Sequence, residues 1–249
     1  MTKKTIIMLL CACMVIAGAA LGTVAYLTDR ESITNTFTFG HVDIAVDETA
    51  VDAAGMPVYP EGTQLGEDGK PLDPGVKPLR TAAGNAYALL PGCAYTKDPT
   101  MTVKAGSAEA YVRMIVTISG AKAIGEVFGD LKRIYPDRYA DGFLPEQHVL
   151  GWNGETWPCA AMTQDEQADT IRLEFRYKQP VSGGSEDIAL EPLFAGIAAP
   201  RELNGDHLGK LNGMQITVTG EAVQTAGFEN ENQAWAAFDA QYAAENGQP

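Results

Sequence analysis

Three histidines (His41, His148, His207) and four cysteines (Cys11, Cys13, Cys93, Cys159) are the side chains best suited to hold a metal or attack a substrate. No pair of histidines has the His-Glu-x-x-His spacing that sets two imidazoles and a general base on one helical face. The chain lacks a Gly-x-Ser-x-Gly elbow and a Walker loop, and Cys93 in Pro91-Gly92-Cys93 has no evident basic partner to make it a thiolate. Trp152-Asn153-Gly154-Glu155-Thr156-Trp157 has two readings: a flat platform for a sugar, or a hairpin around an Asn-Gly turn whose indoles pack inward. The expectation is a protein that is not an enzyme, with no catalytic residue, metal ligand or cofactor site.

Cys11 and Cys13 fall in an apolar run from Ile6 to Ala25 that follows Lys3 and Lys4, the order of a secretory signal. The run is long enough to cross a bilayer as a helix, so a retained anchor is one reading. The other is cleavage, since Thr23-Val24-Ala25 puts small residues at −3 and −1 of a junction between Ala25 and Tyr26. The expectation is a signal peptide over 1–25, with membrane contact only through the uncleaved signal, and one domain over 26–249. Cys93 and Cys159 remain in the mature chain, as one disulfide across a long loop or as two buried thiols.

Charge narrows the partners. Lys and Arg number 18 against 32 Asp and Glu, a net charge of −14, and no Lys or Arg follows Lys210. Such a surface has no basic patch to displace counterions, which excludes nucleic acid and anionic lipid.

Any site must be positioned by strands. Ile171, Leu173, Phe175 and Tyr177 alternate with polar residues, as do Val112, Met114, Val116 and Ile118, and Met214, Ile216 and Val218. Phe37 and Phe39 are followed by Val42, Ile44 and Val46, with the phase slipping at Gly40, which predicts a bulge or bend. Period-two runs separated by Gly, Pro and Asn turns predict an all-β, antiparallel sandwich. Ile124, Val127, Phe128, Leu131 and Tyr135 fall at helical spacing. So do Phe228, Trp235, Phe238 and Tyr242, predicting a C-terminal helix packed on the sandwich. Residues 48–90, rich in turn signals such as Asp68-Gly69, read as a surface insertion without a calcium-loop motif.

Gly22-Thr23-Val24-Ala25-Tyr26-Leu27-Thr28-Asp29 and Asn35-Thr36-Phe37-Thr38-Phe39-Gly40-His41-Val42-Asp43-Ile44 resemble the N-terminus of the TasA/camelysin-like family of exported proteins with SipW-type signal peptides. Leu90-Pro91-Gly92, Lys97-Asp98-Pro99 and Glu109-Ala110-Tyr111-Val112-Arg113 resemble its next block. Ile216 to Gln224 with Ala234-Trp235-Ala236-Ala237-Phe238 resemble its C-terminal block. The resemblance implies a jelly-roll-like sandwich, processed by a SipW-type signal peptidase and secreted to the cell surface or extracellular matrix of a Gram-positive bacterium. It implies a biofilm structural or accessory subunit that self-associates or joins related matrix subunits. In that family the freed N-terminal segment adds as a strand to a neighbour. Here that segment is Tyr26 to Phe39 with Phe37 and Phe39 as anchors, or else the subunit's own first strand. A surface adhesin or ligand-binding module is the alternative function. A camelysin-like surface metalloprotease is a further one, for which no ligand set can be assigned.

Overall fold

The alternating runs form the three longest neighbouring strands of a sandwich. The computed structural model describes residues 28–30 and 42–245; the expected signal peptide, Ala25, Tyr26, Phe37, Phe39 and His41 lie outside them. One sheet joins β1 (Thr28–Arg30), β12 (Ile216–Gln224), β6 (Ala110–Ser119), β9 (Thr170–Arg176) and β8 (Cys159–Asp165) in that order. A second joins β10 (Ile188–Ala189), β5 (Thr100–Val103), β2 (Ile44–Thr49) and β3 (Arg80–Thr81). A third, small sheet joins β4 (Ala94–Thr96), β11 (Gly196–Ala198) and β7 (Val149–Leu150). Every pairing is antiparallel, as the period-two pattern requires.

Burial fixes the register. Val116 lies opposite Leu173 on one side and Val218 on the other, so a one-residue slip would turn a whole apolar set to solvent. Val112, Met114 and Leu173 pack against Ile44, Met101 and Val103 of the second sheet in one core. The sheets come close together at Gly220 of β12. A Cβ there would stand 2.5 Å from Val46 Cγ2 and 2.9 Å from Met101 Cε, so the missing side chain lets β12 and β2 close together.

Helix α1 (Ala121–Ile134) buries Ile124, Val127, Phe128 and Leu131 at the expected spacing. Asp169, in the turn between β8 and β9, accepts the Lys122 N–H on Oδ1 at 2.8 Å and the Gly120 and Ala121 N–H groups on its carbonyl. Its carboxylate also faces the positive end of the helix dipole. Helix α2 (Gly205–Lys210) begins at a capping box in which Asn204 and His207 satisfy each other's backbone N–H.

The outer face of the five-stranded sheet is not the solvated face that alternation predicts. Helix α3 (Glu231–Glu245) lies on it, and Trp235, Phe238 and Ala234 pack with Val223 in a second, smaller cluster. Beneath them Arg113 of β6 is only 1% exposed. Its guanidinium donates to Glu221 Oε2 of β12 at 2.7 Å and lies 3.4 Å from Glu174 Oε2 of β9. It also pairs with Asp239 of α3 and stacks 4.2 Å from the Trp235 ring centroid. Glu174 accepts from Arg176 Nε at 2.7 Å as well. These polar residues read as solvent-facing because the strand pattern cannot show what a distant helix covers. No described helix is long and apolar enough to cross a membrane.

Candidate functional site

A strand edge and a cleft meet on one side of the sandwich. Among the described residues, strand β1 pairs with Glu221 to Val223 of β12. Among the described residues, the stretch from Ile216 to Gly220 has β6 on one side and no strand on the other. This open edge borders a cleft of about 1110 Å³, whose other walls are Val46 to Glu48 of β2, residues 81–89 and the turn at 208–215. Val46, Leu89, Ile197, Leu211, Ile216 and Val218 give it an apolar wall.

Its polar end is built from charges already matched to one another. Lys97 Nζ donates to Glu48 Oε2 at 2.6 Å, and both side chains are buried. Asn85 fixes the other carboxylate oxygen: its Nδ2 donates to Glu48 Oε1 and to the Thr49 carbonyl, both at 2.8 Å, while its Oδ1 accepts the Val51 N–H. Arg80 bridges Asp47 and Asp98 at 2.6 Å each, and Asp98 accepts both the N–H and the hydroxyl of Thr49. The Tyr87 hydroxyl donates to the Thr96 carbonyl at 3.0 Å. Burial first, then the Glu48 charge, pushes its pKa up to about 12, so it stays a neutral donor. Buried charges paired in this way define the shape of the cleft floor. What the cleft offers a partner is an apolar wall and a row of backbone groups.

The residues singled out from sequence are scattered. Trp157 is fully buried with its Nε1 donating to the Glu191 carbonyl at 2.9 Å, and Trp152 Nε1 donates to the Trp157 carbonyl at 2.8 Å. The pair follows the inward-packing reading, so the sugar platform is withdrawn. His207 is spent on the α2 capping box. His148 stacks on Phe143, with its Nε2 buried and unpartnered among the described residues. Burial lowers its pKa, against an Ala198 backbone hydrogen bond and the Glu146 charge. Cys93 and Cys159 are free thiols in this structure. Cys93 leads into β4 of the small sheet, whereas Cys159 starts the exposed edge strand β8, where partial desolvation of the thiol raises its pKa. Among the described residues, no group of three His, Cys, Asp or Glu side chains could hold a metal ion.

Comparison with family models, with curated proteins and with solved structures finds no match for this chain.

Sequence reasoning missed Glu48, Asn85, Tyr87 and Lys97. The first three fall inside the region read as a surface insertion, yet Glu48 is an inward residue of β2, and Asn85 and Tyr87 line the cleft. The available signal was Val42, Ile44 and Val46, whose alternation runs straight on into Glu48.

Proposed function

We propose that this chain is an exported structural subunit of the cell surface or extracellular matrix that assembles by β-strand addition, accepting a neighbour's N-terminal segment along β12. The observation that carries this reading is the Ile216–Gly220 edge, which no described strand covers, beside an apolar cleft. A strand laid on that edge gains backbone hydrogen bonds from β12, and its alternate side chains enter the cleft. Thr28–Arg30 of the Tyr26–Phe39 segment pairs here with Glu221–Val223 of the chain's own β12, so on this reading assembly exchanges that pairing for the same one on a neighbour. The segment's Thr-rich, aromatic composition suits a strand in either place. Phe37 and Phe39 share one face and would contribute about 1.5–3 kcal/mol each on burial. Export rests on Lys3, Lys4 and the apolar run to Ala25.

Two chains test it, one starting at Tyr26 and one at Gly40, followed by size-exclusion chromatography, circular dichroism and electron microscopy. The longer chain should form filaments with rising concentration, and the shorter should stay folded and monomeric. A lysine on the acceptor lip, Val218→Lys, should block filaments formed by the longer chain while the strand signal persists. Unfolding of the Gly40 chain would instead make the segment the subunit's own strand. A Tyr26 chain that stays monomeric at all concentrations, at neutral and acidic pH, would favour a ligand-binding module, a second reading that the size of the cleft supports.

A further inference from the structure

Met56, Val58, Leu65, Leu72 and Leu79 are large apolar side chains left exposed within one short stretch of chain. The sequence there repeats. Val51-Asp52-Ala53-Ala54-Gly55-Met56-Pro57-Val58 is followed, fourteen residues on, by Leu65-Gly66-Glu67-Asp68-Gly69-Lys70-Pro71-Leu72. The backbone repeats with it. Val51 bridges Pro57 as Leu65 bridges Pro71, and Gly55 and Gly69 turn the chain at φ of 77° and 74°. The Asp52 N–H donates to the Met56 carbonyl at 3.0 Å, as Gly66 does to Lys70 at 2.8 Å. The Val58 N–H donates to the Ala50 carbonyl at 2.8 Å, as Leu72 does to Gln64 at 2.9 Å. The two knuckles differ in how they are closed.

In the first, Leu79 completes a ring of backbone hydrogen bonds. The Ala50 N–H donates to the Leu79 carbonyl, and the Leu79 N–H donates to the Val58 carbonyl, both at 2.8 Å. In the second, the equivalent groups are the Gln64 N–H and the Leu72 carbonyl, and neither has a hydrogen-bond partner among the described residues. The Leu72 side chain beside them is 66% exposed.

We propose that this second knuckle is a docking seat for an extended Pro-Leu segment of a partner protein. Lys77-Pro78-Leu79 shows the form of the occupant, because it already fills the first seat. Its leucine would give one N–H to the Leu72 carbonyl, take one from Gln64, and lay its side chain against Leu65 and Leu72. The preceding proline keeps the segment extended and limits the entropy lost on docking. Charge adds a preference: Glu67, Asp68 and Asp73 lie within or beside the second knuckle in sequence, an acidic excess over Lys70, which stands 3.8 Å from Asp68. Lys77 and Arg80 flank the leucine that occupies the first, Arg80 itself pairing with Asp47 and Asp98. The occupant therefore carries basic residues around Pro-Leu. The chain's own Leu79 is not available, since Arg80 and Thr81 hold it beside β2. The seat is separate from the β12 edge and goes beyond the assembly reading.

A fluorescent peptide with the sequence from Gly75 to Ala82, titrated onto the full chain and followed by anisotropy, tests the proposal. Saturable binding should weaken about tenfold in Gln64→Pro, which removes the donor, and stay unchanged in Gln64→Ala, which keeps it, one backbone hydrogen bond being the difference. Leu72→Asp should weaken it too. A peptide N-methylated at the leucine should also bind about tenfold less tightly. Absence of saturation up to millimolar peptide, or equal binding of the N-methylated peptide, would overturn the proposal. So would binding that Val58→Asp abolishes and Gln64→Pro leaves intact, because the peptide would then be displacing Leu79 from the first seat.

Discussion

Replacing Arg113 by Met keeps the length of the side chain and removes its charge from a site that three strands and a helix have closed. Arg113 is 1% exposed and Glu221 2% exposed, so water cannot take over the lost pairing. The contacts removed are the 2.7 Å hydrogen bond to Glu221, the 3.4 Å approach to Glu174, the pairing with Asp239 and the stacking on Trp235. Asp239 is 56% exposed and contributes little, below about 1 kcal/mol. Glu174 keeps Arg176 at 2.7 Å, so the dominant loss is the buried contact with Glu221, and breaking a buried pair from one side costs up to about 3–5 kcal/mol. That is a large share of the ~5–15 kcal/mol typical of a whole domain. Urea unfolding followed by circular dichroism should therefore show a sharply lowered midpoint. Arg113→Lys should fall between, keeping the charge without the planar fork. Arg113→Met combined with Glu221→Leu should lose less than Arg113→Met alone, because no carboxylate of Glu221 remains to be paired. A loss below about 1 kcal/mol in Arg113→Met, with the double variant no better, would refute the assignment of this network as the clasp of α3.

Gly220→Val should destabilise by about 1–3 kcal/mol in thermal melts, since its side chain would collide with Val46 and Met101. Gly125→Ala, in open space on α1, should gain about 1 kcal/mol in the same measurement. His148 has a folded pKa held below its ordinary 6.5 by burial. Below that pH the unfolded chain binds a proton that the folded chain refuses, so stability should fall as pH drops from about 6.5 toward the folded value. His148→Phe should flatten that part of the stability profile, and an unchanged slope would remove His148 as its source.

The fold was legible wherever one face of an element meets the core. Val112 to Ile118, Ile171 to Phe175 and Ile124 to Leu131 are placed by their own periodicity, because burial on one side imposes it. Trp235 and Phe238 pack on the sandwich as their helical spacing predicts. Where two layers cover a strand, alternation misleads: Arg113 and Glu174 look like solvent residues and lie beneath α3. The cleft was not legible, for a different reason. Glu48 continues the alternation of β2, but Asn85 and Lys97 reach it from loops with no period. The β12 edge that no described strand covers is a property of pairing that Ile216, Thr217 and Val218 do not encode individually. The two knuckles share a Gly-x-Pro spacing that does not stand out within a turn-rich insertion, and their matching hydrogen bonds show that the likeness is structural.

The order of strands in the larger sheet bears on when the molecule can fold. Strand β12 lies between β1 and β6, although it is the last strand to leave the ribosome. Until residue 224 is available, β1 has no neighbour in its sheet and β6 lacks the one that carries Glu221 for Arg113. Asp239 and Trp235 arrive later still. Such distant pairing makes folding slow and ties it to completion of the chain. On the export route proposed above, this delay would be useful: until synthesis is nearly complete the nascent polypeptide lacks the strand that joins β1 to β6, so the larger sheet cannot close prematurely. The same delay leaves apolar strands uncovered until the chain is complete, so the yield of folded protein should rise with a holding chaperone.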